Sequence, residues 1–310
     1  MGQTFFFNWE VAVMEWLQGV FGNAVGIAVF SFISEFGEDL FCVAILGFFY
    51  WGINKQIGKY VGLNITIATL WNPLIKNIFV RRRPYFDHAS IKLFKKIEAD
   101  ADTYDILAQG FSFPSGHSSG SGTAFWSLFK KIKKTWLKVI FIVVPLLVGL
   151  SRFVLGAHYP TDVLCGWALA LIIILIVDLL RKWIKNEKII YAIFLLSGVP
   201  GFFFCTSQDF YTGYGMLLGA CLAFSFEEKF VNFENTDSII KSILRTIGGG
   251  CLFLATNAVL KLPFTKEFLD TAAMLPWIIR TIRYAIVVFV CVGLYPMIFK
   301  YTSKIGKARK

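Results

Sequence analysis

Long apolar runs recur along the chain, separated by short connections that carry lysine and arginine. A helix that crosses a bilayer needs roughly 20 predominantly apolar residues, and several runs approach that length. Apolar residues make up 56% of the chain, mean hydropathy is +0.62, and there are 33 phenylalanines and 9 tryptophans. A soluble protein of this composition would expose extensive apolar surface. The sequence therefore predicts an integral membrane protein.

The predicted fold class is all-α, a polytopic transmembrane helical bundle of about eight or nine spans. The spans are drawn at residues 40–53, 58–75, 113–129, 136–153, 162–180, 189–205, 211–226, 238–260 and 283–299. The chain is expected to divide into an N-terminal region, a core of spans and additional C-terminal spans, at 1–34, 35–188 and 189–310.

The N-terminal region contains an amphipathic helix over residues 9–21, which is expected to lie at the membrane interface. Glu10 lies away from its apolar face. That face is formed by Trp9, Val13, Trp16, Leu17 and Val20.

The net charge of +11 does not indicate a nucleic-acid partner. The lysines and arginines concentrate in connections between spans, at 55–59, 130–138, 181–188, 229–241 and in the tail 300–310. Cytoplasmic connections of membrane proteins carry such an excess of basic residues. All five fall on one side of the predicted topology, so we expect them and the C-terminus in the cytoplasm. The expected partner is the lipid bilayer of an inner or plasma membrane.

One connection departs from this rule. Residues 76–96 carry seven cations on the predicted non-cytoplasmic side, namely Lys76, Arg81, Arg82, Arg83, Lys92, Lys95 and Lys96. An anionic substrate would explain them. The alternative is an inverted topology, which would place the five other basic connections outside. A nearby acidic cluster, Glu35, Glu38 and Asp39, is interpreted as a solvated helix start, with a place at the mouth of a site as the alternative.

The first polar segment runs from Lys76 to Pro84, at the end of a predicted span. About seven residues make two helical turns, so Lys76 and Arg83 are expected on one face. Pro84 disfavours a helical conformation at Arg83, where we expect the helix to end. Cations that snorkel to the interface would explain the segment equally well.

The second polar segment is Pro114-Ser115-Gly116-His117, just before a predicted span. The free N–H groups of a helix N-terminus can hold phosphate oxygens. Ser115 would add a hydroxyl donor, Gly116 would allow close approach of the backbone, and His117 could protonate a leaving oxygen. The alternative is a capped helix with a surface histidine.

The third polar segment runs from Ser151 to Asp162. His158 and Asp162 are one helical turn apart, so Asp162 can fix the tautomer and leave the other ring nitrogen free to attack. Gly156 permits a tight turn that brings Arg152 toward His158, and Pro160 suits the first turn of the next helix. A structural cap formed by His158 and Asp162 is the alternative.

Only three histidines occur in the chain, at 88, 117 and 158, and two of them lie in these segments. The six cysteines lie singly in or beside apolar runs, and no two have metal-ligand spacing, so neither a zinc site nor a disulfide framework is expected. Glycines at 212–219 and 248–250 are interpreted as helix contacts.

Together the three segments resemble the pattern of the type 2 phosphatidic acid phosphatase (PAP2) superfamily: Lys, six residues, Arg-Pro; then Pro-Ser-Gly-His; then Ser-Arg, five residues, His, three residues, Asp. The resemblance covers residues 35–182 and leaves the last third outside it. It implies a haloperoxidase-like helical core and a phosphatase that needs no metal or other cofactor.

The resemblance also implies a role for each site residue. His158 would form a phosphohistidine, Asp162 would orient it, and His117 would be the general acid. The phosphate would be held by Lys76, Arg83, Ser115, Gly116 and Arg152. Fixed positive charge around an in-line displacement is what phosphoryl transfer requires.

The predicted function is hydrolysis of a lipid phosphate or pyrophosphate, such as undecaprenyl pyrophosphate or phosphatidic acid, on the non-cytoplasmic face of the membrane. A phosphotransferase that passes the phosphoryl group to a hydroxyl acceptor would use the same residues. A transporter with vestigial catalytic residues and a vanadium-dependent oxidase are the remaining alternatives.

Overall fold

The computed structural model describes residues 2–97 and 100–299, and every regular element in these ranges is helical, which confirms the all-α prediction. The predicted basic tail, 300–310, lies outside the described residues. The α-helices are α1 (Asn8–Phe21), α2 (Ala24–Glu35), α3 (Asp39–Gly47), α4 (Lys55–Phe79), α5 (Pro84–Asp87), α6 (Ile106–Gln109), α7 (Gly116–Lys131), α8 (Thr135–Val154), α9 (Pro160–Trp183), α10 (Glu187–Gly198), α11 (Gln208–Phe226), α12 (Ile239–Val259), α13 (Lys266–Asp270) and α14 (Met274–Val288). Short π or 3-10 segments follow some of them, at Phe48–Ile53, Val199–Phe203, Glu227–Val231, Phe289–Leu294 and Tyr295–Ile298.

Among the described residues, four helices are long and apolar enough to cross a membrane. These are α8, α9, α12 and α14 with its continuation to Ile298. Helices α1 and α2 would add a fifth span if they cross together, although they are bent by 115°. The count of eight or nine spans therefore stays a prediction.

Side-chain caps determine where several helices begin. Asn23, Ser115, Asn186, Ser238 and Thr265 each precede a helix and accept a hydrogen bond from an N–H two or three residues further on. Such caps satisfy N–H groups that have no acceptor within the helix. Pro160 occupies the first position of α9, as predicted. The local sequence thereby sets the starts of α7 and α9, which carry the second and third polar segments.

Helix α1 turns a polar residue inward. Glu10 and Met14 are fully buried, and Leu17 is nearly so. Most of the predicted apolar face is exposed instead, with Trp16 at 66% and Trp9 at 48%. Exposed tryptophans suit a helix at a membrane interface, and the face that packs on the protein carries Glu10, Met14 and Leu17.

Contacts divide the chain into two compact units, each described separately here. Unit 1 comprises Met1–Cys42, Trp71–Ile176 and Phe203–Ser207, and contains all three polar segments. Unit 2 comprises Val43–Leu70, Val177–Phe202 and Gln208–Lys310. The predicted division into regions 1–34, 35–188 and 189–310 stays a prediction.

Within unit 2, glycines allow α11 to pack closely on its neighbours. A Cβ on Gly213 would lie 2.1 Å from the Thr69 carbonyl oxygen, and one on Gly215 would lie 2.3 Å from the Thr281 carbonyl oxygen. Such distances are shorter than any side chain tolerates, so even alanine would force the helices apart. The glycines at 212–219 therefore serve helix contacts, as predicted.

Two predicted cytoplasmic connections meet within unit 2. Glu227 is fully buried and binds Lys55 Nζ at 3.1 Å and Lys59 Nζ at 2.8 Å. The Lys55 N–H also donates to Asn235 Oδ1 at 2.9 Å. The connections around residues 55–59 and 229–241 thus lie at the same end of this unit.

Candidate active site

The chain leaves α4 earlier than the sequence predicts. The helix ends at Phe79, so Lys76 and Arg83 do not share a helical face, and the prediction was wrong on this point. Val80 takes a left-handed conformation with φ 44°, and its carbonyl accepts a hydrogen bond of 2.8 Å from Gln3 N. The backbone thus pairs with the N-terminal segment where α4 ends. The local sequence pattern does not predict this tertiary contact.

Arg83 is held rigidly beside His158. Its side chain is 2% exposed, and Nε donates to the carbonyl oxygens of Gln109 and Gly110, both at 3.0 Å. Nη1 donates to the Ala157 carbonyl oxygen at 2.9 Å and lies 3.1 Å from His158 Nε2. The guanidinium therefore reaches the histidine by a bend in the chain rather than along a helix.

The second polar segment forms the N-terminus of α7. Ser115 is the cap, and its Oγ accepts hydrogen bonds from Ser118 N at 3.3 Å and Ser118 Oγ at 2.9 Å. The first N–H groups of α7, starting with Gly116, have no acceptor within the helix and sit at its positive dipole end. Lys76 Nζ lies 4.0 Å from the position that a Cβ on Gly116 would occupy. A cation and a helix N-terminus thus converge, which suits a phosphate.

His117 pairs with Glu38, a member of the acidic cluster interpreted as a solvated helix start. Its Nε2 lies 3.1 Å from Glu38 Oε1, and Lys95 Nζ lies 3.3 Å from the same oxygen. The hydrogen bond with His117 lowers the pKa of Glu38 to about 2 despite partial burial, and the charge of Lys95 lowers it further. Glu38 is therefore ionised at neutral pH, and its contact with His117 favours the alternative interpretation, a place beside the candidate site, for this residue.

The third polar segment turns back on itself as predicted. Gly156 has φ 74°, and a Cβ at this position would lie 2.1 Å from the Lys92 carbonyl oxygen. Only glycine fits such a conformation and approach. The backbone N–H groups of Ala157 and His158 then bind the Arg152 carbonyl oxygen at 3.1 and 3.3 Å.

Arg152 is buried, with 1% of its surface exposed. Its Nη1 donates to Ser34 Oγ at 2.5 Å, whereas Nε has no hydrogen-bond partner among the described residues. A buried donor without a partner is unfavourable. A phosphate oxygen would satisfy it.

The orientation of the His158 ring follows from its neighbours. Arg83 Nη1 can only donate, so Nε2 must offer its lone pair, and the proton resides on Nδ1. Nδ1 lies 3.6 Å from Asp162 Oδ2, which also accepts from Tyr159 N at 2.8 Å and from Ser112 Oγ. The tautomer assigned in this way leaves Nε2 as the nitrogen available for attack.

Burial lowers the pKa of His158 well below its usual value, and the charges of Arg83, Arg152 and Lys76 lower it further. The effect of three cations on one imidazole also shows that residues from the first and third segments converge on it. His158 is consequently neutral at neutral pH, the form that a nucleophile requires.

Arg81 holds the other side of Asp162. Its Nη1 binds Asp162 Oδ1 at 2.6 Å and its Nη2 binds Glu10 Oε2 at 2.9 Å, with all three side chains at most 1% exposed. The guanidinium carbon also lies 4.0 Å from the ring centre of Tyr159 and 4.6 Å from that of Phe5. A buried cation between two carboxylates and two rings fixes the carboxylate that faces His158.

Glu10 extends this network to the N-terminal helix. Its Oε1 accepts from Thr161 N at 3.0 Å and from Thr161 Oγ1 at 2.6 Å. Helix α1 is thereby tied to the start of α9 and, through Arg81, to Asp162. Sequence reasoning did not assign Glu10 to the site, and it interpreted Arg81 as one of seven cations for an anionic substrate rather than as a partner of Asp162. The one local signal was a carboxylate on a largely apolar helix.

The cations of residues 76–96 are therefore not all directed at a substrate. Arg81 binds two carboxylates, Arg82 binds Asp87 at 2.5 Å, and Lys95 binds Glu35 at 2.7 Å. The interpretation of the whole excess as a substrate site was wrong for these three, because acidic partners within the protein neutralise them.

The structure brings all the predicted site residues together in unit 1: Lys76, Arg83, Ser115, Gly116, His117, Arg152, His158 and Asp162. Ser115 N donates to the Asp162 carbonyl oxygen at 2.9 Å, which joins the second segment to the third. A neutral imidazole, a second imidazole paired with a carboxylate, several cations and a helix N-terminus can support displacement at phosphorus. The role of each residue stays a prediction.

Two family models match the chain. The model of the PAP2 superfamily matches residues 58–186, which include every predicted site residue. A model described as PAP2 superfamily phosphatase, transmembrane extension, matches residues 211–307. The motif-based resemblance left the last third outside the family, and this second match corrects it.

Several curated proteins are similar to the central part of the chain. Undecaprenyl-diphosphatase BcrC of Bacillus subtilis is 32% identical over 177 residues, which are 54% of this chain and 84% of the relative. Decaprenylphosphoryl-5-phosphoribose phosphatase of Mycobacterium tuberculosis is 32% identical over 173 residues, 54% of this chain and 89% of the relative. Lipid A 1-phosphatase of Rhizobium etli is 29% identical over 155 residues, 44% of this chain and 63% of the relative. No solved structure matches the chain.

Proposed function

The chain belongs to the PAP2 superfamily, and on that premise we propose that it hydrolyses a lipid phosphate or pyrophosphate through a phosphohistidine on His158. It is a phosphatase and a membrane protein. The observation that carries the proposed mechanism is the setting of His158. Its Nε2 lies 3.1 Å from Arg83 Nη1, and its Nδ1 faces Asp162.

The proposed substrate class rests on the relatives and on the membrane setting. Their names specify phosphatases of undecaprenyl diphosphate, of decaprenylphosphoryl-5-phosphoribose and of lipid A. A site beside apolar helices suits a phosphate that is presented on a lipid. Undecaprenyl pyrophosphate and phosphatidic acid are the first substrates to test.

In the first step, the lone pair of His158 Nε2 attacks phosphorus. The bond between phosphorus and the leaving oxygen breaks, and His117 gives that oxygen a proton. Arg83 moves its hydrogen bond from Nε2 to a non-bridging oxygen. Arg152 Nε and Lys76 bind the other oxygens as their charge develops.

In the second step, water attacks the phosphohistidine. His117 takes a proton from this water, the N–P bond breaks, and inorganic phosphate leaves while Nε2 regains its lone pair. Burial and the charge of Arg152 lower the pKa of His117, and the hydrogen bond with Glu38 opposes this shift, so Glu38 supports the acid form that the first step needs. Asp162 stabilises the positive charge that the His158 ring carries while it is bonded to phosphorus.

We place the active site on the non-cytoplasmic face. The support is the charge distribution, with five basic connections predicted on the other side. The meeting of the connections 55–59 and 229–241 through Glu227 is consistent with that assignment. The C-terminus would then lie in the cytoplasm.

The test is phosphate release from a panel of lipid phosphates by the purified full-length protein. His158→Ala should lower kcat by about a thousandfold or more, the scale seen when a covalent nucleophile is removed. His88→Ala is the matched control, because it removes the histidine that lies outside the candidate site, and it should keep most of the activity. Full hydrolysis by His158→Ala would refute the covalent mechanism.

Two further measurements separate the alternatives. Activity that survives a chelator and is inhibited by vanadate supports displacement by histidine over a metal-dependent route. A labelled lipid phosphate should yield free phosphate, whereas label in a second lipid would show a phosphotransferase.

A further inference from the structure

Unit 2 contains a half-buried and a buried arginine on one helix, Arg280 and Arg283, that the proposed reaction does not use. Arg280 and Arg283 lie one turn apart on α14, so their side chains are neighbours on the helix surface. Arg283 is only 3% exposed. Buried arginines in membrane proteins mark binding or functional sites unless a carboxylate pairs with them.

Arg283 has no such pairing. Its Nε and Nη1 are buried without a hydrogen-bond partner among the described residues. Its one described aromatic contact is with the neighbouring Tyr284, whose ring centre lies 5.3 Å from the guanidinium carbon. A buried guanidinium whose donors are unsatisfied is unfavourable unless an anion binds it.

The described hydrogen bonds of Arg280 go to neutral side chains, and the carboxylates of Asp209 and Asp270 act on it only through their charge. Its Nη2 donates to Gln208 Oε1 and its Nη1 donates to Thr212 Oγ1 at 3.4 Å. These contacts orient the guanidinium but leave its charge in place. The two arginines therefore carry two positive charges on one stretch of α14.

Lys261 adds a third charge from the end of α12. Partial burial lowers the pKa of Lys261, and the charges of Arg283 and Arg280 lower it further, which shows that the three cations are close. Asp270 acts in the opposite direction on Lys261. No ion pair joins Asp270 to any of the three cations in the part of the chain that the structure describes.

Two features of the surroundings favour a phosphate on a lipid. Trp277 Nε1, one turn before Arg280, is a further buried donor without a partner among the described residues. Large apolar side chains beside the cations are exposed, with Leu262 at 80% and Leu275 at 60%. Hydrogen-bond donors without acceptors can bind the anionic oxygens of a phosphate, and the exposed apolar surface can contact acyl chains. A phospholipid supplies both groups.

We propose that Lys261, Arg280 and Arg283 form a binding site for the phosphate of an anionic phospholipid, separate from the reaction at His158. The guanidinium donors bind the phosphate oxygens, Lys261 adds charge at the exposed edge, and the acyl chains lie along the apolar surface. The bound lipid stabilises this part of unit 2 because it neutralises the buried charge.

The test is lipid binding to the purified full-length protein in a neutral detergent, followed by thermal unfolding. The probe is dioleoylphosphatidylglycerol, a phosphodiester, and dioleoylglycerol is the comparison that lacks the phosphate. The phosphatidylglycerol should raise Tm. Arg280→Gln combined with Arg283→Gln should weaken its apparent affinity about tenfold or more, as expected for lost hydrogen bonds to a charged group.

Arg181→Gln is the matched control, because Arg181 is an arginine of unit 2 that already binds Glu187 at 2.8 Å. It should keep the full lipid response. If the double variant does not fold, Lys261→Gln serves in its place, since Lys261 is exposed and its loss should still weaken binding. A lipid response that is the same in wild type and these variants would overturn the proposal.

In the last measurement, inorganic phosphate replaces the lipid as the probe. If it alone gives a response that depends on these three residues, the assignment to a lipid is overturned in favour of a free anion. If dioleoylglycerol matches the phosphatidylglycerol, the response comes from the acyl chains and the site is refuted.

Discussion

Arg81 and Arg283 are both buried, but they differ in the partners of their guanidinium groups. Arg81 is 1% exposed and lies between two buried carboxylates and two aromatic rings. Arg283 is 3% exposed, and two of its nitrogens have no partner among the described residues. Burial alone therefore does not say what a cation does in this protein. A buried cation that is paired with carboxylates of the protein stabilises the fold. A buried cation without such partners is expected to bind an anion from outside the protein.

The same contrast occurs within one short segment. Arg81 binds Asp162 and Glu10, whereas Arg83 donates hydrogen bonds to backbone carbonyl oxygens and lies 3.1 Å from Nε2 of His158. Arg82 pairs with Asp87 near the surface. Three consecutive arginines thus meet three different electrostatic environments. We infer that Arg81 positions Asp162 and that Arg83 is the one that can turn to phosphate.

The largest expected effect is that of Arg81→Ala. It leaves two buried carboxylates without their cation, and breaking a buried pair in this way costs roughly 3–5 kcal/mol of unfolding free energy. Arg82→Ala is the adjacent control and should cost less, because the Arg82 side chain is 34% exposed and solvent screens its pairing with Asp87. The measurement is unfolding in detergent, together with phosphate release.

The rate of phosphate release tests whether Arg81 positions Asp162 or only stabilises the fold. Activity of Arg81→Ala at a temperature where it remains folded should show a lower kcat with little change in KM, because Asp162 no longer holds the His158 ring. Equal losses from Arg81→Ala and Arg82→Ala would contradict the contrast between the two arginines.

The next largest effect is a neutral or stabilising one, expected for Arg283→Met. Arg283→Met removes a buried charge that has no described partner and keeps a long apolar side chain. Replacing buried charge with apolar groups is often neutral or stabilising by about 1–4 kcal/mol. In detergent free of anionic lipid, Tm should therefore stay constant or rise. A loss as large as that of Arg81→Ala would show that Arg283 also serves an internal structural role.

The smallest expected effect is on the pH profile. Because burial and three cations lower the pKa of His158, the nucleophile stays neutral at pH values where an ordinary imidazole, with a pKa of about 6.5, becomes protonated. The acid limb of kcat/KM should therefore lie below that value. Lys76→Gln removes one of the cations, raises the pKa of His158 and should move the limb to higher pH.

Lys92→Gln is the control for this shift, since Lys92 is an exposed cation of the same connection. It should leave the limb in place. A wild-type limb near the ordinary value for histidine, or equal shifts in the two variants, would show that the nearby charges do not control His158.

Much of the candidate site was predictable because it is built from local patterns. Ser115 caps α7, Gly156 has the positive φ that its turn requires, and Pro160 starts α9, each for reasons contained in a few neighbouring residues. The same local rules place His158 and Asp162 one turn apart. Convergence of the segments was also expected, because the predicted topology opens them on one side.

Most of the errors involve partners that are distant in sequence. Residues 80–82 pair with Gln3, so α4 ends before Arg83. Glu38 reaches His117 across a long separation, and Glu10 reaches Arg81 in the same way. Local periodicity contains no information about such contacts. It showed the apolar face of α1 but gave no sign that Glu10 would be buried against Arg81 and Thr161.

The sequence by itself determined the membrane setting, the all-helical class and the family, and it predicted eight candidate site residues that the structure brings together. Hydropathy, helix caps and motif spacing depend on neighbouring residues, so a linear reading captures them. Only the tertiary structure decided which cations face the site and which are neutralised within the protein. That distinction depends on the distance and burial of each charge relative to others far along the chain, as Arg81 and Arg283 show.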